Sequence, residues 1–117
     1  MNTKEVVTKY FEYVNSGKWD DYLTLFDTDV IMEEQLLGHI EGIKNVAKGI
    51  EGLRNNPDFR NIPLDIIVDG EKAVALWNIK SPLPGGKMLD LKGANFYIVK
   101  KGKIVHFANF HDTSVFN

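Results

Sequence analysis

His39, His106 and His111, with the carboxylates Glu33, Glu34 and Asp112, are side chains whose types could move a proton or hold a metal. Their spacing forms no HExxH or HxH pattern, so no metal site is expected. In the segment GKIVHFANFHD, alternation puts His106, Ala108, Phe110 and Asp112 on one face and Phe107, Asn109 and His111 on the other. A histidine beside Asp112 could shuttle protons near neutral pH. Alternatively, Asp112 caps the chain as it leaves the strand with Thr113 and Ser114, and His111 is exposed. Asn95 lies in an otherwise apolar run, where a buried amide must find partners or a ligand. The absence of cysteine rules out thiolate zinc sites, iron–sulfur clusters and cysteine nucleophiles. No GxSxG elbow, GxGxxG loop or Walker loop is present, and Gly85-Gly86-Lys87 is not followed by a helical pattern. Carboxylates, tyrosine, asparagine and histidine are left as the available chemistry, and no cofactor is expected.

These groups must be positioned by a helical first half and a strand-rich second half, an order that suggests α+β rather than an alternating parallel fold. Val7, Tyr10, Phe11 and Val14 fall at helical spacing, with Asn2 three residues before Glu5 as a capping box and Gly17 as a stop, predicting a helix over about residues 3–16. Trp19, Tyr22, Leu23 and Phe26 predict a short second helix ending near Asp27. Ile43, Val46, Ala47, Ile50 and Leu53 predict a third, weakened by Gly49 and Gly52 at roughly 1 kcal/mol each relative to Ala. Val30–Leu37 reads as a short strand. Beyond Pro57 the period becomes that of sheets, and residues 64–68, 73–79, 88–99 and 104–111 predict an antiparallel meander with hairpins at Asp69-Gly70, Pro82–Gly86 and Lys101-Gly102. LDIIV and NFYIV do not alternate between apolar and polar, so both sheet faces should be covered, either within a fully packed core or, for one face, by a second subunit. Trp77 is expected in a pocket wall or an interface.

The 117 residues make one domain, and 44% hydrophobic residues suffice for a core without disulfides or metals. A net charge of -2, from 14 basic and 16 acidic residues, argues against nucleic acid, which requires a clustered basic surplus. The N-terminal stretch carries charges throughout, without a signal-peptide core, and no apolar run reaches membrane-spanning length. A soluble, cytoplasmic protein is expected.

YFEYVNSGKWDDYLTLFDTDV, HIEGIKNV, LKGANFYIV and the terminal GKIVHFANFHD resemble the nuclear transport factor two-like superfamily over nearly the whole chain, and within it the SnoaL-like polyketide cyclases and ketosteroid isomerases. The resemblance implies a single cystatin-like α+β domain over residues 1–117: a cone-shaped, curved antiparallel sheet packed against three N-terminal helices, enclosing an apolar pocket for a hydrophobic small molecule. It also implies a convex side used for a homodimer. Ketosteroid isomerases pair a carboxylate base with an oxyanion hole of tyrosine and protonated aspartic acid. Laid along this chain, the tyrosine falls on Tyr10, the base on Glu34 or Glu33, and the aspartic acid on Asn95, a neutral donor in place of a carboxyl. SnoaL-like cyclases carry an acidic residue near the end of the last strand, a place matched by Asp112. Trp19, Trp77, Tyr97, His106 and Phe110 are then the expected ligand-binding residues. The resemblance implies cofactor-free isomerisation, cyclisation or dehydration; the same fold also serves non-catalytic binding and dimerisation modules.

Overall fold

The first helix begins where the local signals put it. In the computed structural model, which describes residues 1–116, α1 spans Thr3–Ser16. The Asn2 side chain accepts from the Glu5 N–H at 2.9 Å, and Glu5 reciprocally accepts from the Asn2 N–H at 3.1 Å. Gly17 closes the helix with a positive φ of 68°, a conformation that costs glycine little. The apolar stripe of α1, Val6, Val7, Tyr10, Phe11 and Val14, is buried. Each such side chain contributes on the order of 1.5–3 kcal/mol on burial, so packing rather than propensity holds the helix.

α2 is shorter than the periodicity predicts, Trp19–Leu23, because Phe26 already belongs to a strand. β1 (Phe26–Glu34) turns back into β2 (Gly38–Glu41), a four-residue strand not anticipated from sequence. The third apolar stripe forms two helices, α3 (Ile43–Gly49) and α4 (Glu51–Arg54), separated at Ile50. β3 (Arg60–Asp69), β4 (Lys72–Pro82), β5 (Met88–Lys100) and β6 (Lys103–His111) form the expected antiparallel meander, followed by a 3-10 turn over Thr113–Phe116.

The six strands make one sheet in the order β2-β1-β6-β5-β4-β3, with β1 running parallel to β6 and every other pair antiparallel. Register shifts at Pro63/Asp65 and Ile98/Val99 mark irregularities where a strand bends and twists more strongly. The helices cover one face. α1 is pinned at both ends: Thr3 Oγ1 donates to the Gly70 carbonyl at 2.7 Å, while Asn15 donates to the Asn61 carbonyl at 2.8 Å and accepts from the Asn61 N–H at 2.7 Å. The Asn15 carboxamide thus satisfies backbone groups of β3, which is an edge of the sheet.

The opposite, convex face carries Ile62, Ile67, Leu76 and Phe110 at 44, 57, 42 and 54% exposure. The meander lacks clean alternation because its outer face is apolar as well as its inner one. No described helix is long and apolar enough to cross a membrane.

Candidate functional site

Between the concave face and the helices lies a cavity of about 490 Å³, walled mainly by apolar side chains. Every strand contributes to it: Met32 and Glu34 from β1, Ile40 from β2, Asn61 from β3, Trp77, Ile79 and Ser81 from β4, Leu89, Leu91 and Asn95 from β5, and Phe107, Asn109 and His111 from β6. Helices contribute Tyr10, Val14, Trp19, Tyr22, Val46 and Leu53.

Glu34 is the one carboxylate among the described lining residues, with a side chain 15% exposed. It sits at the end of β1, where the chain turns into β2. Its Oε2 accepts from the backbone N–H groups of Leu36 at 2.8 Å and Leu37 at 2.6 Å, and its Oε1 accepts from Asn109 Nδ2 at 2.9 Å. The imidazole Nε2 of His111, a side chain 4% exposed, lies 3.8 Å from the same Oε1. Gln35 locks the arrangement from outside: its N–H donates to Asn109 Oδ1 at 2.9 Å, and its Oε1 accepts from the His111 N–H at 2.7 Å. The neighbouring Glu33 points the other way and pairs with exposed His39, which also contacts Glu41 at 2.9 Å. Hydrogen bonds donated to Glu41 and then Glu33 hold the His39 imidazole above its ordinary range. Alternation along β1 therefore selects Glu34, not Glu33, for the cavity.

Asn95 is buried, with its Oδ1 accepting from Trp77 Nε1 at 2.8 Å and its Nδ2 donating to the Tyr97 hydroxyl at 3.0 Å. Tyr10 faces the cavity from α1. Burial pushes its hydroxyl up to about 12, while hydrogen bonds from Tyr22 and Asn95 pull it down and the Glu34 charge adds to the rise. Desolvation likewise raises Tyr22 and Tyr97 well above 10.

Of the residues expected from sequence, Tyr10, Glu34, Asn95, Trp19 and Trp77 border this cavity. Four do not. Asp112 lies on the exposed exit from β6 and accepts from the Ser114 N–H at 2.9 Å, and those serine hydrogen bonds hold it below the usual carboxylate range. It is a strand-end cap. His106 and Phe110 project from the convex side, where His106 packs edge-on to Phe96 at 6.2 Å and Phe110 is 54% exposed. Tyr97 is fully buried behind Asn95, a support rather than a wall. The inward set on β6 is Phe107, Asn109 and His111, and it brings in Asn109 and His111, which sequence reasoning did not select. Alternation defines the two sets of β6 but not which one faces in. The only available signal was that Phe107, Asn109 and His111 occupy a single face.

Gly93 is what allows Trp77 to reach Asn95. A Cβ at Gly93 would stand 2.5 Å from Trp77 Cη2 and Cζ2 and 2.6 Å from the Phe110 carbonyl oxygen. The indole lies over the glycine across the β4–β5 ladder, where Trp77 and Gly93 are direct partners.

The family model for the SnoaL-like domain matches residues 7–107. No curated protein matches the chain. Among solved structures, the chain is similar to a nuclear transport factor two-like protein of unknown function from Burkholderia pseudomallei, at 21% identity and a TM-score of 0.89, covering 99% of this chain and 95% of that one. A protein of unknown function with a cystatin-like fold from Xanthomonas campestris superposes at a TM-score of 0.85 and 19% identity, covering 98% and 94%. TerC, co-crystallized with polyporic acid, superposes at a TM-score of 0.86 and 16% identity, covering 97% and 94%. These structural likenesses establish the fold.

Proposed function

The chain belongs to the SnoaL-like domain family, and from that premise we propose that it binds a hydrophobic small molecule in the cavity and moves a proton on it without a cofactor. The observation that carries the reading is the convergence of Glu34, His111 and Tyr10 on one apolar cavity. TerC, a structural neighbour, was crystallized with polyporic acid, which supports small-molecule binding on this fold.

The proposed step uses the residues of the cavity. Glu34 Oε1 takes a proton from a carbon adjacent to a carbonyl; the C–H electron pair becomes the enolate, and the carbonyl oxygen takes the charge. Tyr10, a phenol that faces the cavity, donates to that oxygen. Asn95, which accepts from Trp77 and donates to Tyr97, is a positioning residue. Glu34 returns the proton to another carbon, beside the His111 imidazole, whose Nε2 lies 3.8 Å from Oε1. Asn109 and the two backbone donors keep the carboxylate aimed throughout. A positioned base of this kind contributes roughly 10²–10⁴-fold.

A second reading, binding without catalysis, is favoured by the three hydrogen bonds that Glu34 already accepts inside the protein. Both tryptophans line the cavity, so their fluorescence reports occupancy by a naphthol. Proton exchange into deuterated water at the benzylic carbon of β-tetralone, followed by NMR, separates the readings. Catalysis requires exchange above the buffer rate that falls by about a hundredfold or more in Glu34→Gln. Naphthol binding with no catalysed exchange supports the binding module.

The exposed apolar convex face, centred on Ile67, Leu76 and Phe110, supports a homodimer through that side. Light scattering at micromolar concentration tests it, and a monomeric mass refutes it.

A further inference from the structure

The far wall of the cavity holds a polar group that the proton-transfer site does not use. Asn61, on β3, is 5% exposed and lines the cavity, yet among the described residues its side-chain Oδ1 has no hydrogen-bond donor. Its backbone groups are fully engaged with Asn15, so the side chain is not needed to hold the strand. A buried oxygen without a donor is costly and uncommon in a native fold. Beside it, Asn56 Nδ2 donates to Ser81 Oγ at 2.9 Å, and both residues also line the cavity. Asn56, Asn61 and Ser81 make this wall polar but uncharged.

The ladders give its distance from the catalytic end. Asn61 pairs with Ile79 of β4, and Asn95 pairs with Ala75 of the same strand. β3 and β5 flank β4, so the two asparagines are about 10 Å apart across the sheet and about 13 Å along it. Side chains on a concave face converge, which shortens the span between their tips. The lining also includes the apolar side chains of Ile79 and Leu91 on the sheet, Leu53 on α4 and Phe59 just before β3.

We infer that Asn61, with Ser81 and Asn56, forms a second polar subsite that receives a neutral hydroxyl at the far end of an elongated, apolar ligand whose other polar end meets Tyr10 and Glu34. The inference rests on the proposed small-molecule cavity and deepens it by naming the ligand class. A hydroxyl suits the site because it donates to Oδ1 and can also accept from a carboxamide N–H. An anion finds no cation among the described residues of this wall, and an ammonium finds no carboxylate.

The probes are para-linked biphenyl and terphenyl, each as a mono-ol and as a diol with a hydroxyl at either end, titrated by tryptophan fluorescence. At one of the two lengths the diol binds about tenfold tighter than the mono-ol, the size of one good hydrogen bond. Asn61→Leu erases that preference and leaves mono-ol affinity within twofold; Asn61→Ala gives the same erasure in a smaller side chain. Equal affinity of diol and mono-ol at both lengths in the parent protein overturns the subsite, as does a preference that survives both substitutions. If no probe binds at millimolar concentration, the underlying cavity reading fails as well.

Discussion

Replacing Gly93 by alanine tests the wall of the site with a single methyl group. Ordinary contacts between carbon atoms begin near 3.4 Å, whereas the new Cβ would meet the Trp77 six-membered ring at 2.5 Å and the Phe110 carbonyl oxygen at 2.6 Å. Both neighbours must retreat by nearly 1 Å. The carbonyl belongs to β6 beside the Gly93–His111 pair, so it moves only if that ladder opens locally; the indole moves only by leaving Asn95, to which it donates at 2.8 Å. Overpacking of this kind costs about 1–3 kcal/mol, and an Asn95 Oδ1 left buried without its donor costs about 1–3 more. We therefore expect Gly93→Ala to destabilise by about 3 kcal/mol. With an unfolding entropy near 2.1 cal/mol/K per residue, that is roughly 12 °C in Tm for a chain of 117 residues.

Urea denaturation read by far-ultraviolet circular dichroism measures the loss, with an unchanged slope expected. The paired experiment is decisive. In a Trp77→Phe background the ring atoms that collide with the new Cβ are gone, so the same alanine costs about 1 kcal/mol less or better. A Gly93→Ala protein within 0.5 kcal/mol of its parent, or an equal cost in both backgrounds, refutes the account of Trp77 as held over Gly93.

Because burial raises Tyr10 to about 12, and Tyr22 and Tyr97 well above 10, the stability these phenols contribute is complete below pH 10 and is lost as pH rises through their folded values. For Tyr10 the window is pH 10 to about 12, and the contribution is on the order of 3 kcal/mol. Urea midpoints should fall steeply across that window and less steeply in Tyr22→Phe; a flat profile contradicts the burial argument. Asn15→Ala removes two bonds to the backbone of β3, at 2.8 and 2.7 Å, and should cost about 2 kcal/mol with no change in naphthol affinity beyond twofold, measured by denaturation and fluorescence. Phe110→Glu places a charge on the convex apolar face and should give a monomer by light scattering while leaving the naphthol titration intact, since Phe110 does not line the cavity.

How much was legible before the fold differs by element, for identifiable reasons. α1 is readable because its signals are local: the Asn2–Glu5 box, the buried stripe at helical spacing and Gly17 all act within a few residues. β2 is not, since Gly38–Glu41 has no strand signature of its own and forms by pairing with Ile31–Glu34. The end of α2 was misread because Phe26, at the right helical spacing, is claimed by β1 and its pairing with β6. Local preference loses there to a contact nearly eighty residues away.

The site divides along the same line. Residue types and order determined that chemistry here means carboxylate, phenol, amide and imidazole, and carried the family resemblance that put Tyr10, Asn95 and either Glu34 or Glu33 at one pocket. Which of two adjacent acids turns inward, and which set on β6 does so, depends on a period of two whose phase no local signal supplies. The parallel pairing of β1 with β6 and the register shift at Ile98/Val99 set that phase, bringing Asn109 and His111 to Glu34 and turning His106 and Phe110 to the convex side. Asp112 falls just past the last paired residue, so it serves the turn that follows instead of the cavity. The unpartnered oxygen of Asn61 belongs wholly to the tertiary structure, because a side chain is left without a donor only by everything packed around it.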